Sequence, residues 1–148
     1  MIYWLAMSLM LCFGDATPAP NRGINLSGHW KGTITQKEGG YRPTYVIEFY
    51  LSQQGTSIKG QSYVYADDIH AVMALEGELK NNMLLQFHET KIVDFTKTED
   101  VEWCIKKGQL VIRQKAGQIH LEGFWQGDSV LGPCVPGEIY LEKVKQNS

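Results

Sequence analysis

From about residue 26 onward, apolar and polar residues alternate in short runs, and turn-forming residues interrupt them about every ten positions. No stretch sustains a helical period, so the pattern predicts strands. Nine are expected, over residues 28–36, 45–53, 57–65, 69–79, 83–92, 101–106, 109–115, 118–126 and 138–144. Several are joined by tight turns: Gln54, Gly55 and Thr56; Lys80, Asn81 and Asn82; Lys107 and Gly108; Ala116 and Gly117. Short connections make successive strands neighbours, which predicts an all-β, antiparallel up-and-down meander.

Because strand side chains alternate between faces, each run assigns an inner and an outer set. The inner set includes Trp30, Ile47, Phe49, Met83, Leu85, Leu110 and Leu121, and it places Tyr45, Phe87, Trp103, Ile105 and Trp125 on the same side. Glu89 shares the parity of Met83, Leu85 and Phe87, and a carboxylate so placed needs a hydrogen-bonding or cationic partner. Gly60, Gly77 and Gly123 each follow an apolar and a charged residue in mid-strand, which marks points where a strand bends or another backbone comes close. Closing a meander into a barrel of eight or nine strands requires such points.

Residues 1–13 are rich in large apolar side chains, and Gly14, Asp15 and Ala16 precede a Pro-containing stretch. That is the pattern of a signal peptide cut after Ala16, although no Lys or Arg precedes the apolar run. Residues 1–16 therefore read as a leader, 17–25 as a linker and 26–148 as one barrel domain, and no stable membrane span is expected once the leader is removed. Lipidation at Cys12 is the less favoured reading, since Leu11 stands where a small residue is expected. Export leaves an even pair, Cys104 and Cys134, which predicts a disulfide, with two buried thiols as the alternative. The setting is secreted or periplasmic. A net charge of −2 with scattered lysines gives no footprint for nucleic acid.

The first strand contains Gly28, His29 and Trp30 in a Gly-x-Trp arrangement. In this the chain resembles the calycin barrels, namely lipocalins, fatty-acid-binding proteins and avidins, many of which use such a tryptophan to close one end. The resemblance implies a lipocalin-like barrel over residues 28–144 with Trp30 as a core plug, and Gly32 and Thr33 after the motif do not continue the avidin pattern.

Four histidines, His29, His70, His88 and His120, are out of phase with the apolar residues of their strands, so no metal site and no cofactor is expected and all four read as solvated outer residues. Motifs for nucleophilic, phosphoryl-transfer or zinc-dependent catalysis are lacking. The resulting expectation is a non-catalytic extracytoplasmic binder of a small, mostly apolar, lipid-like molecule in the barrel interior. Its pocket would be walled by Tyr45, Phe87, Trp103 and Trp125, with Glu89 as its polar group. Two alternatives stand beside it: a carbohydrate- or protein-interaction β-sandwich using outer aromatics such as Tyr50, Phe124 and Tyr140, and a small secreted enzyme using Glu89.

Overall fold

The computed structural model describes residues 23–146, so the expected leader, Cys12 and most of the linker lie outside the described residues. Among those described, no helix is long and apolar enough to cross a membrane. The strands are β1 (Gly28–Thr35), β2 (Thr44–Gln54), β3 (Ser57–Ala66), β4 (Ile69–Lys80), β5 (Leu84–Phe95), β6 (Ile105–Lys115), β7 (Gln118–Ser129), β8 (Gly132–Pro133) and β9 (Gly137–Lys143). Strands β1 to β7 pair antiparallel in sequence order, and β9 lies between β7 and β1, so the sheet closes. Eight strands make the wall, and the two-residue β8 sits outside it on the end of β7. The up-and-down barrel is as expected; the closed ring rules out a two-sheet sandwich. The turns after β4 and β6 place Asn81 and Asn82 at φ 53° and Ala116 and Gly117 at φ 49° and 78°. That left-handed pairing gives the connection the same twist as the strands it joins.

Eight strands enclose a space just wide enough for side chains to fill. Trp30, Ile47, Phe49, Leu85, Phe87, Leu110 and Leu121 are all fully buried in it, and Phe49 meets Phe87 edge-on at 5.4 Å between ring centres. The segment before β1 closes one end. There the Trp30 indole donates to the Leu26 carbonyl at 2.8 Å, Leu26 N donates to Gln53 Oε1 at 2.8 Å, and the Lys143 ammonium lies 5.9 Å from the Trp30 ring centre. Trp30 is the plug that the sequence predicts.

The mid-strand glycines are sites of close approach. A Cβ at Gly60 would stand 1.8 Å from the Tyr50 carbonyl oxygen, one at Gly77 2.7 Å from that of Gln86, and one at Gly123 2.1 Å from that of Gln109. A further regularity runs across the wall: Gly77, Phe87, Gly108, Trp125 and Gly137 are consecutive cross-strand partners on the inner face. Glycine alternates with a large ring, and a Cβ on Gly108 would come within 3.0 Å of the Phe87 ring. Missing side chains make room for the rings beside them.

Three expectations fail. Lys107 and Gly108 are not a turn: one strand, β6, runs through both, and Val101 forms only an isolated bridge to Thr98. The inward parity of Leu110 therefore continues back through Gly108 to Lys106, so Lys106 is buried while Ile105 points outward at 39% exposure. Met83, placed inward from the sequence, sits in the β4–β5 turn and is 66% exposed, its amide bonded to the Lys80 carbonyl.

Candidate functional site

The site begins where two strands part. The β5–β6 pairing ends at His88 and Lys107, although β5 continues to Phe95. The next N–H of β6, that of Lys106, finds no backbone carbonyl on β5; it donates instead to Glu89 Oε1 at 2.8 Å. The Lys106 ammonium approaches the same oxygen at 2.7 Å and also donates to the Cys104 carbonyl at 3.3 Å. Glu89 Oε2 accepts from the Ser62 hydroxyl of β3. Both charged side chains are removed from solvent, at 4% and 0% exposure. Such burial is tolerable only when charges are paired and their remaining hydrogen bonds are met, and both conditions hold.

Above this pair lies a recess of about 60 Å³ at the end of the barrel opposite Trp30. Tyr45, Val64, Val101, Trp103 and Trp125 wall it, and Lys106 forms part of its floor. The strap of residues 96–104 crosses the gap between β5 and β6, and two contacts hold it. The Trp103 indole donates to the Thr96 carbonyl at 3.1 Å, and Cys104 is bridged to Cys134 with Cα atoms 6.3 Å apart. The expected disulfide is present. Trp125 is fixed by donation to the Thr35 carbonyl at 2.8 Å. Tyr45 lies 6.4 Å from Trp103 between ring centres, with the Arg42 guanidinium 5.7 Å from its own ring centre. Burial raises the Tyr45 phenol above its usual range, partly opposed by Arg42.

Of the five residues predicted to form a pocket, Tyr45, Trp103 and Trp125 meet at the recess. Phe87 lies deeper, packed on Phe49 and over Gly108. Glu89 is buried as its parity required, but it sits behind Lys106. Sequence reasoning missed Lys106 and Ser62. Ser62 was legible as parity, since it lies between Ile58, Gly60 and Val64 on the inner face of β3, whereas Lys106 is in phase with Gly108 and Leu110 only because β6 runs unbroken through Lys107 and Gly108.

The histidines all face outward, each beside a carboxylate: His29 with Glu48 at 2.5 Å, His70 with Asp94 at 3.2 Å, His88 with Glu76 at 3.7 Å and His120 with Glu142 at 3.5 Å. Solvation is not uniform, since His120 is 6% exposed beneath the Tyr140 ring and bonded to its hydroxyl at 2.7 Å. Glu48 is likewise outward yet buried, between His29 and the Tyr50 hydroxyl. Tyr50 and Tyr140 are both raised, chiefly by burial and then by their neighbours Glu48 and Glu142. Among the described residues, no group of three or more His, Cys, Asp or Glu gathers in a metal-holding arrangement.

Comparison of the chain with protein-family models, with curated proteins and with solved structures gave no match.

Proposed function

We propose that the protein is a non-catalytic, lipocalin-like binding barrel that acts outside the cytoplasm and holds one end of a small, mostly apolar molecule at its mouth. The observation that carries this reading is the recess itself: mostly aromatic and aliphatic walls with a few polar residues, Gln36, Glu102 and the buried Lys106, the usual make-up of a ligand pocket. Its volume of about 60 Å³ is well below the roughly 300–1000 Å³ of a compact small-molecule pocket, so it takes a headgroup or a ring edge rather than a whole lipid. The rings and leucines packed below leave the ligand at the mouth, not in the depth of the barrel. Because Glu89 already neutralises Lys106, the geometry favours an uncharged polar end such as a hydroxyl or carbonyl oxygen. Glu89 has both oxygens engaged and no exposed side-chain surface, which supports a structural role for it over that of an acid catalyst. The disulfide, the tryptophan plug and the apolar leader support export and the calycin-type reading.

The test is tryptophan fluorescence titrated with medium-chain alcohols, ketones and fatty acids, with mass spectrometry of anything that co-purifies. Alcohols or ketones should quench Trp103 and Trp125 fluorescence saturably, and Trp103→Ala should weaken that binding at least tenfold. Equal binding by Trp103→Ala, or no saturable quenching by any of the three classes, would overturn the assignment.

A further inference from the structure

The outer wall carries a second concavity, far larger than the recess and independent of it. A trough of about 1450 Å³ crosses the outer face of β4, β5, β6, β7 and β9. Compact small-molecule sites occupy about 300–1000 Å³, so an extended ligand fits this shape better. Its origin lies in the row in which glycine alternates with aromatic residues. Gly77, Gly108 and Gly137 of that row all line the trough, and no side chain of theirs fills it.

Along the trough, one row of outward side chains stands in cross-strand register: Glu78, Gln86, Gln109, Phe124 and Glu138. At strand spacings of about 4.8 Å, these five span about 19 Å. Phe124 is 66% exposed, an open ring flanked by the Gln109 amide on one side and the Glu138 carboxylate on the other. Among the described residues, the side chains of Gln86, Gln109 and Glu138 form no hydrogen bond to another protein group, which leaves their donors and acceptors for a ligand.

Charge and topology narrow the occupant. The lining holds four cations, Lys37, Lys59, Lys107 and Arg113, against four carboxylates, Glu76, Glu78, Glu122 and Glu138. A balanced surface of this kind offers no net attraction to a polyanion or a polycation. The trough lies over fully paired strands of a closed barrel, so no free strand edge is available there for an extended peptide to add to. Lysine and glutamate supply seven of its eight charged lining residues, and protein interfaces are depleted of both. What remains is a neutral molecule with hydroxyls along its rim and apolar ring faces. We propose that this trough is a binding site for a neutral oligosaccharide, with one sugar ring stacked on Phe124 and neighbouring hydroxyls bonded to Gln109, Gln86 and Glu138.

The experiment uses the isotope-labelled full chain, titrated with linear tri- to hexasaccharides of the β-glucan, α-glucan and chitin types and followed by nuclear magnetic resonance. At least one series should shift the side-chain amide signals of Gln86 and Gln109. Phe124→Ala should lower that affinity at least tenfold, Phe124→Tyr should keep it, and Tyr50→Ala, on another part of the outer wall, should leave it unchanged. Because Phe124 is exposed, its replacement leaves the core intact, which a thermal melt verifies. The proposal fails if no sugar in the three series shifts those signals at millimolar concentration, if Phe124→Ala binds as well as the parent, or if a peptide or protein takes the trough in place of a sugar. None of these results bears on the recess at the barrel mouth.

Discussion

A carboxylate and an ammonium share the upper interior of the barrel, and the chemistry of that pair sets how the region responds to substitution. Glu89 has two tasks: it balances Lys106, and it accepts the N–H that β5 no longer serves. Glu89→Gln removes the charge but keeps an acceptor, leaving the Lys106 ammonium buried without a counter-ion, a change that costs about 3–5 kcal/mol. Replacing both residues by methionine removes both charges and so recovers part of that loss. The Lys106 N–H and the Ser62 hydroxyl are then without their acceptor, and an unmet buried group costs about 1–3 kcal/mol. Urea unfolding should thus place both variants below the parent, with Glu89→Gln lower by several kcal/mol. A loss below about 1 kcal/mol in Glu89→Gln, the range of exposed pairs, would mean that water reaches the pair.

Strand by strand, inner and outer faces were legible wherever a run was unbroken. Glu89 could be placed inside because Leu85 and Phe87 precede it in phase on β5. Lys106 could not, because Lys107 and Gly108 carry the composition of a hairpin turn, and reading them so shifts the parity of everything before them by one. What decides against the turn is a contact no local pattern contains: Gly108 lies opposite Trp125, under the Phe124 carbonyl and the Phe87 ring. The same row explains Phe87. Its parity is inward, as the alternation predicts, but its ring fills the space over a neighbouring glycine instead of lining the recess. Glycines in this wall therefore fall into two kinds, separable by substitution. Gly60→Ala and Gly123→Ala drive a methyl into a backbone carbonyl and should lose at least the roughly 1–3 kcal/mol of an overpacked core. Gly55, in an open turn at φ 63°, has nothing within 4 Å, and alanine there should cost only the left-handed penalty of about 1–2 kcal/mol. Equal losses at Gly55 and Gly60 in thermal or urea melts would show that close packing is not what holds the strand glycines.

For the molecule as a whole, the tight turns and the alternation were enough to give the meander, while of the mouth only the disulfide and the rings of Tyr45, Trp103 and Trp125 were legible, not the course of the strap. The reason is physical: residues 96–104 carry almost no regular pairing, and their course is set by Trp103, the bridge and the gap between β5 and β6. The bridge ties the residue before β6 to the loop after β8, across the end of the β6–β7 hairpin. With its cysteines 30 positions apart, it stabilises the fold by about 3–4 kcal/mol on the chain-entropy account. The ladders that close the barrel run all the way round without it, since β9 joins β7 to β1 through backbone pairing alone. Reduction, or replacement of both cysteines by serine, should therefore lower the unfolding free energy by that amount and leave the barrel closed. Its local effect falls on the strap. Hydrogen exchange should quicken between residues 97 and 104 and at the Cys134 amide, which donates to the Gly127 carbonyl, while amides of β2, β3 and β4 keep their protection relative to the global free energy. If the mouth is the ligand site, the same reduction should raise the dissociation rate of any alcohol or ketone bound there, because Trp103 is held through Cys104. Unfolding of the whole barrel on reduction would assign the bridge to the fold itself; unchanged exchange in the strap would show that Trp103 and its hydrogen bond hold the mouth without the disulfide.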